Sequence, residues 1–148
     1  MDIKIYTDGA CIGNPGPGGW AAVILVDNEK KELFGGEKLT TNNRMELTAA
    51  IEALEYCDKE EGKQLSLNQI RIYTDSNYLK EGITSWINTW EKNNWKTADK
   101  KNVKNVDLWK RLKELVTTNK VEWYWIKGHS NEPMNELADT LAKRATPI

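Results

Sequence analysis

Histidine occurs once in the 148 residues, phenylalanine once and cysteine twice. Cys11 and Cys57 make no metal-ligand spacing with each other, and the lone His129 has no partner to complete a zinc set. The expectation is two reduced thiols in a cytoplasmic protein, with a single disulfide as the alternative. No apolar run is long enough to cross a bilayer and no signal-peptide pattern is present, so no membrane partner is expected. No Ser-His-acid arrangement suggests itself, and internal repeats, linkers and low-complexity stretches are missing. Charge of one sign is lacking too: 21 Lys and Arg oppose 22 Asp and Glu.

The hydrophobic share of 39% and charged share of 29% fit a globular chain, and the length fits one domain over residues 1–148 with a real core. The near-neutral total hides an asymmetry. Lys92, Lys96, Lys100, Lys101, Lys104, Lys110, Arg111 and Lys113 are opposed in their window only by Asp99 and Asp107, whereas Glu52, Glu55, Asp58, Glu60 and Glu61 make the middle acidic. A balanced chain can carry a basic face.

Two stretches end alike. Asp2–Asp8 alternates Ile3 and Ile5 with polar residues, as a half-buried strand does, and closes on Tyr6-Thr7-Asp8. Gln69–Asp75 closes on Tyr73-Thr74-Asp75. Neighbouring strands of this kind would set two carboxylates side by side, an arrangement that a cation between them relieves.

The five glycines and two prolines from Gly9 to Gly19 predict a tight loop. Strands are expected over Trp20–Val26 and Lys31–Leu39, with Gly35-Gly36 as a bulge site. Thr40-Thr41-Asn42-Asn43 announces a helix whose buried face is Leu47, Ala50, Ile51, Leu54 and Cys57, ending near 58–62. Glu46 reads as the far end of a capping box opened by Asn43, or as a ligand if that helix starts beside Asp8. Ile70–Thr74 is the fourth strand. A short helix follows Ser76, and a second helical stretch carries Trp86 and Trp90. Residues 93–102 predict a polar, projecting loop. A helix then starts at Asn105-Val106-Asp107 with Leu108, Leu112 and Leu115 inward, Val121–Ile126 is the fifth strand, and Pro133 opens the last helix. On that helix Asp139 pairs at i, i+4 with Lys143, or reaches the strand ends. The order β-β-β-α-β-α-α-α-β-α implies an α/β fold with a mixed sheet flanked by helices.

Asp8, Glu46, Asp75 and Asp139 stand out as four carboxylates that could meet. All-oxygen ligands suit Mg2+ or Mn2+, and two such ions ~3.5–4 Å apart can clamp the oxygens of an in-line displacement at phosphorus.

Taken together, Tyr6-Thr7-Asp8-Gly9, Gly13-Asn14-Pro15-Gly16-Pro17-Gly18-Gly19, Thr41-Asn42-Asn43-Arg44-Met45-Glu46-Leu47, Tyr73-Thr74-Asp75-Ser76, Trp95-Lys96-Thr97, Val106-Asp107-Leu108-Trp109, Lys127-Gly128-His129 and Asn135-Glu136-Leu137-Ala138-Asp139 resemble the bacterial type 1 ribonuclease H family. The resemblance runs from about Ile3 to Arg144. It implies a ribonuclease H-like five-stranded mixed sheet, three antiparallel strands then two parallel, and Mg2+-dependent cleavage of the RNA strand of an RNA–DNA hybrid, leaving 5′-phosphate and 3′-hydroxyl ends. It implies that Asp8, Glu46, Asp75 and Asp139 hold two ions and that His129 helps proton transfer or product departure. It places Cys11, Asn14, Asn42, Asn43 and Asn77 near the minor groove, where the RNA 2′-hydroxyl lies. It sets Trp86, Trp95, Lys96 and Lys101 near the DNA strand, with Thr41, Arg44 and Asn105 near its phosphates. By residue type alone, Trp90 and Trp109 read as core and Trp95 as a contact. The family usually carries glutamine where Asn77 stands and often glycine where Asn94 stands; asparagine tolerates the left-handed backbone such a turn needs. The loop Ser130-Asn131-Glu132 has one acid and no second histidine. Nothing essential is expected beyond Arg144, and a monomer could hold the whole site. The rival readings are a module that binds hybrids without cutting, and an actin-like phosphotransferase, for which the chain is too short.

Overall fold

A computed structural model describes residues 2–59, 69–127 and 132–147. His129, its neighbours 128, 130 and 131, and the expected end of the first long helix beyond residue 59 lie outside the described residues.

Five strands form one sheet: β1 (Ile3–Cys11), β2 (Gly16–Val26), β3 (Glu29–Thr40), β4 (Ile70–Thr74) and β5 (Val121–Trp125). Their order is β3-β2-β1-β4-β5. The first three are antiparallel neighbours, while β4 runs parallel to both β1 and β5. The expected mixed sheet is therefore observed. The helices are α1 (Asn42–Lys59), α2 (Asn77–Glu81), α3 (Ile87–Lys92), α4 (Val106–Thr118) and α5 (Pro133–Ala145). A π-helical turn, Gly82–Trp86, joins α2 to α3.

Period-two alternation decides what each sheet face buries. Ile3, Ile5, Ile70 and Ile72 point to one face, where Leu47, Ala50, Ile51, Leu54 and Cys57 of α1 and Trp109, Leu112 and Leu115 of α4 complete the larger core. Each buried Ile or Leu there contributes ~1.5–3 kcal/mol relative to exposure. The opposite face carries Tyr6, Ala21 and Val23 under Ala138, Leu141 and Ala142 of α5. On that face Tyr6, Tyr73 and Tyr124 stack across three strands, with ring centroids 4.6 and 5.0 Å apart.

Several local expectations are corrected. The glycine-rich run is mostly strand: β1 continues to Cys11 and β2 begins at Gly16, leaving only residues 12–15 as the connection. Gly35 and Gly36 pair regularly with Trp20 and Gly19, and the register shift falls at Gly16/Gly18 instead. Thr41, not Asn43, caps α1, its hydroxyl accepting from the Arg44 N–H at 3.2 Å. Glu46 thus lies past the first turn and closes no capping box. Trp95 does not project: it is half-buried and packed against the larger core, with the Lys110 ammonium 5.8 Å from its ring centre. Trp109 is fully buried, as expected, and Trp90 packs beside it partly exposed.

Candidate active site

Gly9 brings the first two elements of the site together. A β-carbon there would lie 2.6 Å from the Glu46 nitrogen and 2.8 Å from the Met45 carbonyl carbon, so only glycine lets the start of α1 rest on β1. That contact delivers Glu46 to Asp8. The parallel register, with Tyr6 opposite Tyr73, then places Asp75 beside Asp8 two residues further along each strand direction. Ligand oxygens of Asp8, Glu46 and Asp75 all lie within 4.8 Å of one another. Asp8 and Glu46 are buried.

Asp139 approaches from α5. It hydrogen-bonds Asp8, and its other side meets the Lys143 ammonium at 3.0 Å. Both sequence readings of Asp139 hold at once: it is paired along its helix and it reaches the carboxylate group. The four carboxylates picked from sequence are thus neighbours, three of them in one tight cluster.

Crowding these acids holds protons on the molecule. Burial, then the Asp75 charge and the bond with Asp139, push the Asp8 carboxyl up to about 8. Burial and the charges of Asp8 and Asp75 push Glu46 well above the usual carboxylate range. Glu46 Oε1 is buried with no hydrogen-bond partner among the described residues. An orphaned buried oxygen facing two further carboxylates is a donor set suited to a hard dication, and a poor arrangement for anything else.

Around this cluster, most of the remaining candidates hold one another in place. Asn14 Oδ1 accepts from the Asn42 N–H at 2.7 Å, tying the 12–15 loop to α1. The Cys11 thiol is half-buried and directed at the Gly16 and Thr40 carbonyls. Arg44 donates to Asn105 Oδ1 at 3.1 Å and pairs with both oxygens of Asp107 at 3.1 and 2.9 Å. That fork holds the Asp107 carboxyl below its usual range and joins the starts of α1 and α4. Asn77 is exposed at the start of α2, where Ser76 caps the helix by accepting from the Leu79 N–H. Asn43, Trp86, Lys101 and Asn105 line one groove of ≈ 410 Å³ with Tyr78 and Trp90. Lys96 bonds Asn102 and bridges it across the 93–105 loop. Arg111 leaves the basic set, because Glu55 and Glu114 bind it at 2.8 and 3.5 Å.

Tyr78 was missed from sequence. Its hydroxyl accepts from Asn105 Nδ2 at 3.1 Å and from Trp109 Nε1 at 3.0 Å, so it fixes the side of the groove. The signal available was Asn105 and Trp109 one helical turn apart, both needing an acceptor.

A carboxylate cluster at strand ends, beside an amide-rich loop and a lysine-lined groove, defines a metal-dependent nuclease type of site. The RNase H family model matches residues 1–146. The chain is 54% identical to Ribonuclease H of Parvibaculum lavamentivorans over 142 residues, which is 96% of this chain and 90% of that protein. It is 56% identical to Ribonuclease H of Dechloromonas aromatica, over 96% of this chain and 91% of the relative. Among solved structures, LC9-RNase H1, a type 1 RNase H with the type 2 active-site motif, superposes with a TM-score of 0.85 at 29% identity, covering 98% of this chain and 72% of that one. The chain belongs to the RNase H family. Its members are metal-dependent hydrolases, and no helix of this chain among the described residues is long and apolar enough to cross a membrane.

Proposed function

We propose that this chain is a single-domain endoribonuclease that hydrolyses the RNA strand of RNA–DNA hybrids, with Asp8, Glu46, Asp75 and Asp139 as ligands of two Mg2+ ions. The observation that carries the reading is the convergence of Asp8, Glu46 and Asp75 within 4.8 Å, with Asp139 bonded to Asp8. When bound, paired dications polarise the attacking and leaving oxygens of a phosphodiester. The protein does the rest. Asp8, lying between the Glu46–Asp75 cluster and Asp139, would be the central ligand of this set. Glu46 offers the unpartnered oxygen on one side. His129, four residues before Pro133 in the sequence, is assigned to proton transfer or product departure.

Recognition follows from the surroundings. Cys11, Asn14, Asn42, Asn43 and Asn77 present amide and thiol groups to the minor groove, where a 2′-hydroxyl needs a donor and an acceptor. Trp86, Trp95, Lys96 and Lys101 flank the DNA strand, and Thr41, Arg44 and Asn105 sit at its phosphates. Since one chain supplies all four carboxylates, the enzyme acts as a monomer. The free Cys11 and Cys57 suit a cytoplasmic protein.

Matched RNA–DNA, RNA–RNA and DNA–DNA duplexes with labelled strands test this directly. Release of labelled RNA is expected from the hybrid alone and only with added Mg2+ or Mn2+. Binding without release in Mg2+ would leave a hybrid-holding module in place of an enzyme, and cleavage undiminished by chelator would remove the metal.

The raised carboxyls also predict a pH dependence with a definite sign. Between about pH 4 and pH 8 the folded metal-free protein keeps a proton on Asp8 that the unfolded chain has lost. Folding therefore binds protons, and stability falls as pH rises through that window. Thermal melts in EDTA should show a lower Tm at pH 8 than at pH 5.5. Added Mg2+ should raise Tm more at pH 8, because the ion takes the place of the proton. A Tm that climbs with pH in EDTA would contradict the site's electrostatics.

A further inference from the structure

Asp139 reaches the site on α5, which packs on the sheet face opposite α1, so something must fix the height of that helix. The last turn of α5 rests on a cross-strand pair of glycines, Gly19 of β2 and Gly36 of β3. A β-carbon on Gly19 would overlap the Ala142 carbonyl oxygen and lie 2.8 Å from Thr146 Oγ1 and 2.9 Å from the Thr146 nitrogen. A β-carbon on Gly36 would overlap the Ala145 carbonyl oxygen and lie 2.9 Å from Pro147 Cδ. The nearest of these contacts at each glycine is with a backbone carbonyl oxygen of α5, which cannot swing aside as a flexible side chain can. Thr146 closes the seat: it is buried, and its hydroxyl donates to the Ala142 carbonyl at 3.0 Å. Asp139 lies less than one turn before Ala142 on the same helix.

We infer that the Gly19–Gly36 pair is a positioning device for the metal site, setting the distance of Asp139 from Asp8 through the height of α5 on the sheet. This rests on the two-ion reading above. One methyl group on either glycine must lift the last turn by roughly 1 Å to regain ordinary contact distance. Mg2+ holds oxygen ligands at ~2.0–2.1 Å in near-ideal octahedral geometry and does not follow such a shift. Asp8, Glu46 and Asp75 come from β1, α1 and the end of β4, which the lift leaves in place. The effect should therefore fall on the ion that needs Asp139.

Gly35 supplies a matched control. It neighbours Gly36 on β3, but a β-carbon there would meet the Trp20 side chain, 2.7 Å from Nε1, on the opposite face. Gly36→Ala and Gly35→Ala thus burden the same strand by the same methyl, and only the first pushes on α5. Calorimetric titration of each protein with Mg2+ alone, followed by hybrid-cleavage kinetics, separates the two roles. Gly36→Ala is expected to weaken the weaker of two Mg2+ binding events about ten-fold, the scale at which supporting groups around a metal act. Its kcat at fixed Mg2+ should fall while KM for hybrid stays within about two-fold, and Gly35→Ala should match the parent in Mg2+ binding. Thr146→Val removes the hydroxyl at constant volume and should act in the same direction about three-fold, deciding the matter should Gly36→Ala not fold. Parental Mg2+ binding in both Gly36→Ala and Thr146→Val, or equal weakening in Gly35→Ala, overturns the seat while leaving the two-ion reading intact. A parent protein that binds no Mg2+ overturns both.

Discussion

Replacing Asp8 by Asn is expected to lower hybrid cleavage by a factor on the order of 10³ or more, the scale at which removing charge-stabilising groups from an active site is felt, and to raise the Tm of the metal-free protein. The two effects have one cause. Asp8 sits buried against Asp75 and bonded to Asp139, and its carboxyl is raised to about 8 by that company. Asparagine keeps the shape, offers an N–H to Asp139 and removes the charge that a dication would otherwise have to neutralise. The apo protein is relieved, and the loaded protein would lose one of its proposed metal ligands. Melts in EDTA at pH 8 should show a rise of several degrees, at about 2–4 °C per kcal/mol for a chain near this size. Single-turnover cleavage by the same preparation measures the loss. Parental cleavage with a lowered apo Tm would show that Asp8 serves the fold and not the chemistry.

A second large effect is expected in the aromatic cluster around Trp109. Gly82→Ala should cost about 3 kcal/mol or more, at the upper end of overpacking. The β-carbon would overlap Trp109 at its ring carbons Cη2, Cζ2 and Cζ3, and Trp109 is fully buried with its Nε1 held by Tyr78. The ring contacts Tyr78 and Trp90 at centroid distances of 5.3 and 5.5 Å, so it cannot tilt without moving the wall of the groove. Urea unfolding measures the loss. Adding Trp109→Phe to Gly82→Ala should recover part of it, because the smaller ring vacates the contested space; strict additivity of the two changes would show that the clash is not between these residues.

What could be read in advance depended on whether periodicity or proximity made the element. Ile3, Ile5, Ile70 and Ile72 announce their strands by alternation, and Leu47, Ala50, Ile51 and Leu54 their helix by three-and-four spacing. These patterns fix the sheet and the larger core. Gly18, Gly19 and Gly36 were misread because a glycine that permits close approach looks the same in sequence as a glycine that turns the chain. Here Gly19 and Gly36 lie in regular strands and are small for the sake of α5. The packing of Trp95 against the core was not legible because its neighbours are polar. A left-handed backbone at Asn94 and Trp95, φ 56° and 61°, turns the ring inward, and residue type does not encode that. The four carboxylates were legible because two end on the same Tyr-Thr-Asp phrase. The pairing of Asp139 with both Asp8 and Lys143 was not, since it depends on the height of a helix.

The wide turn at Gly82–Trp86 gives this stretch one residue more than a regular helix needs. Its length is consequently a determinant in its own right. Deleting one residue here would close the wide turn and leave α3 in phase with α2, whereas inserting one more, with no second wide turn to absorb it, would spin everything beyond by about 100° relative to Tyr78. Trp86 and Trp90 would leave the lysine-lined groove without a single side chain in that groove having been altered. Insertions in this segment therefore act as dials on that wall, where point changes act only on its texture.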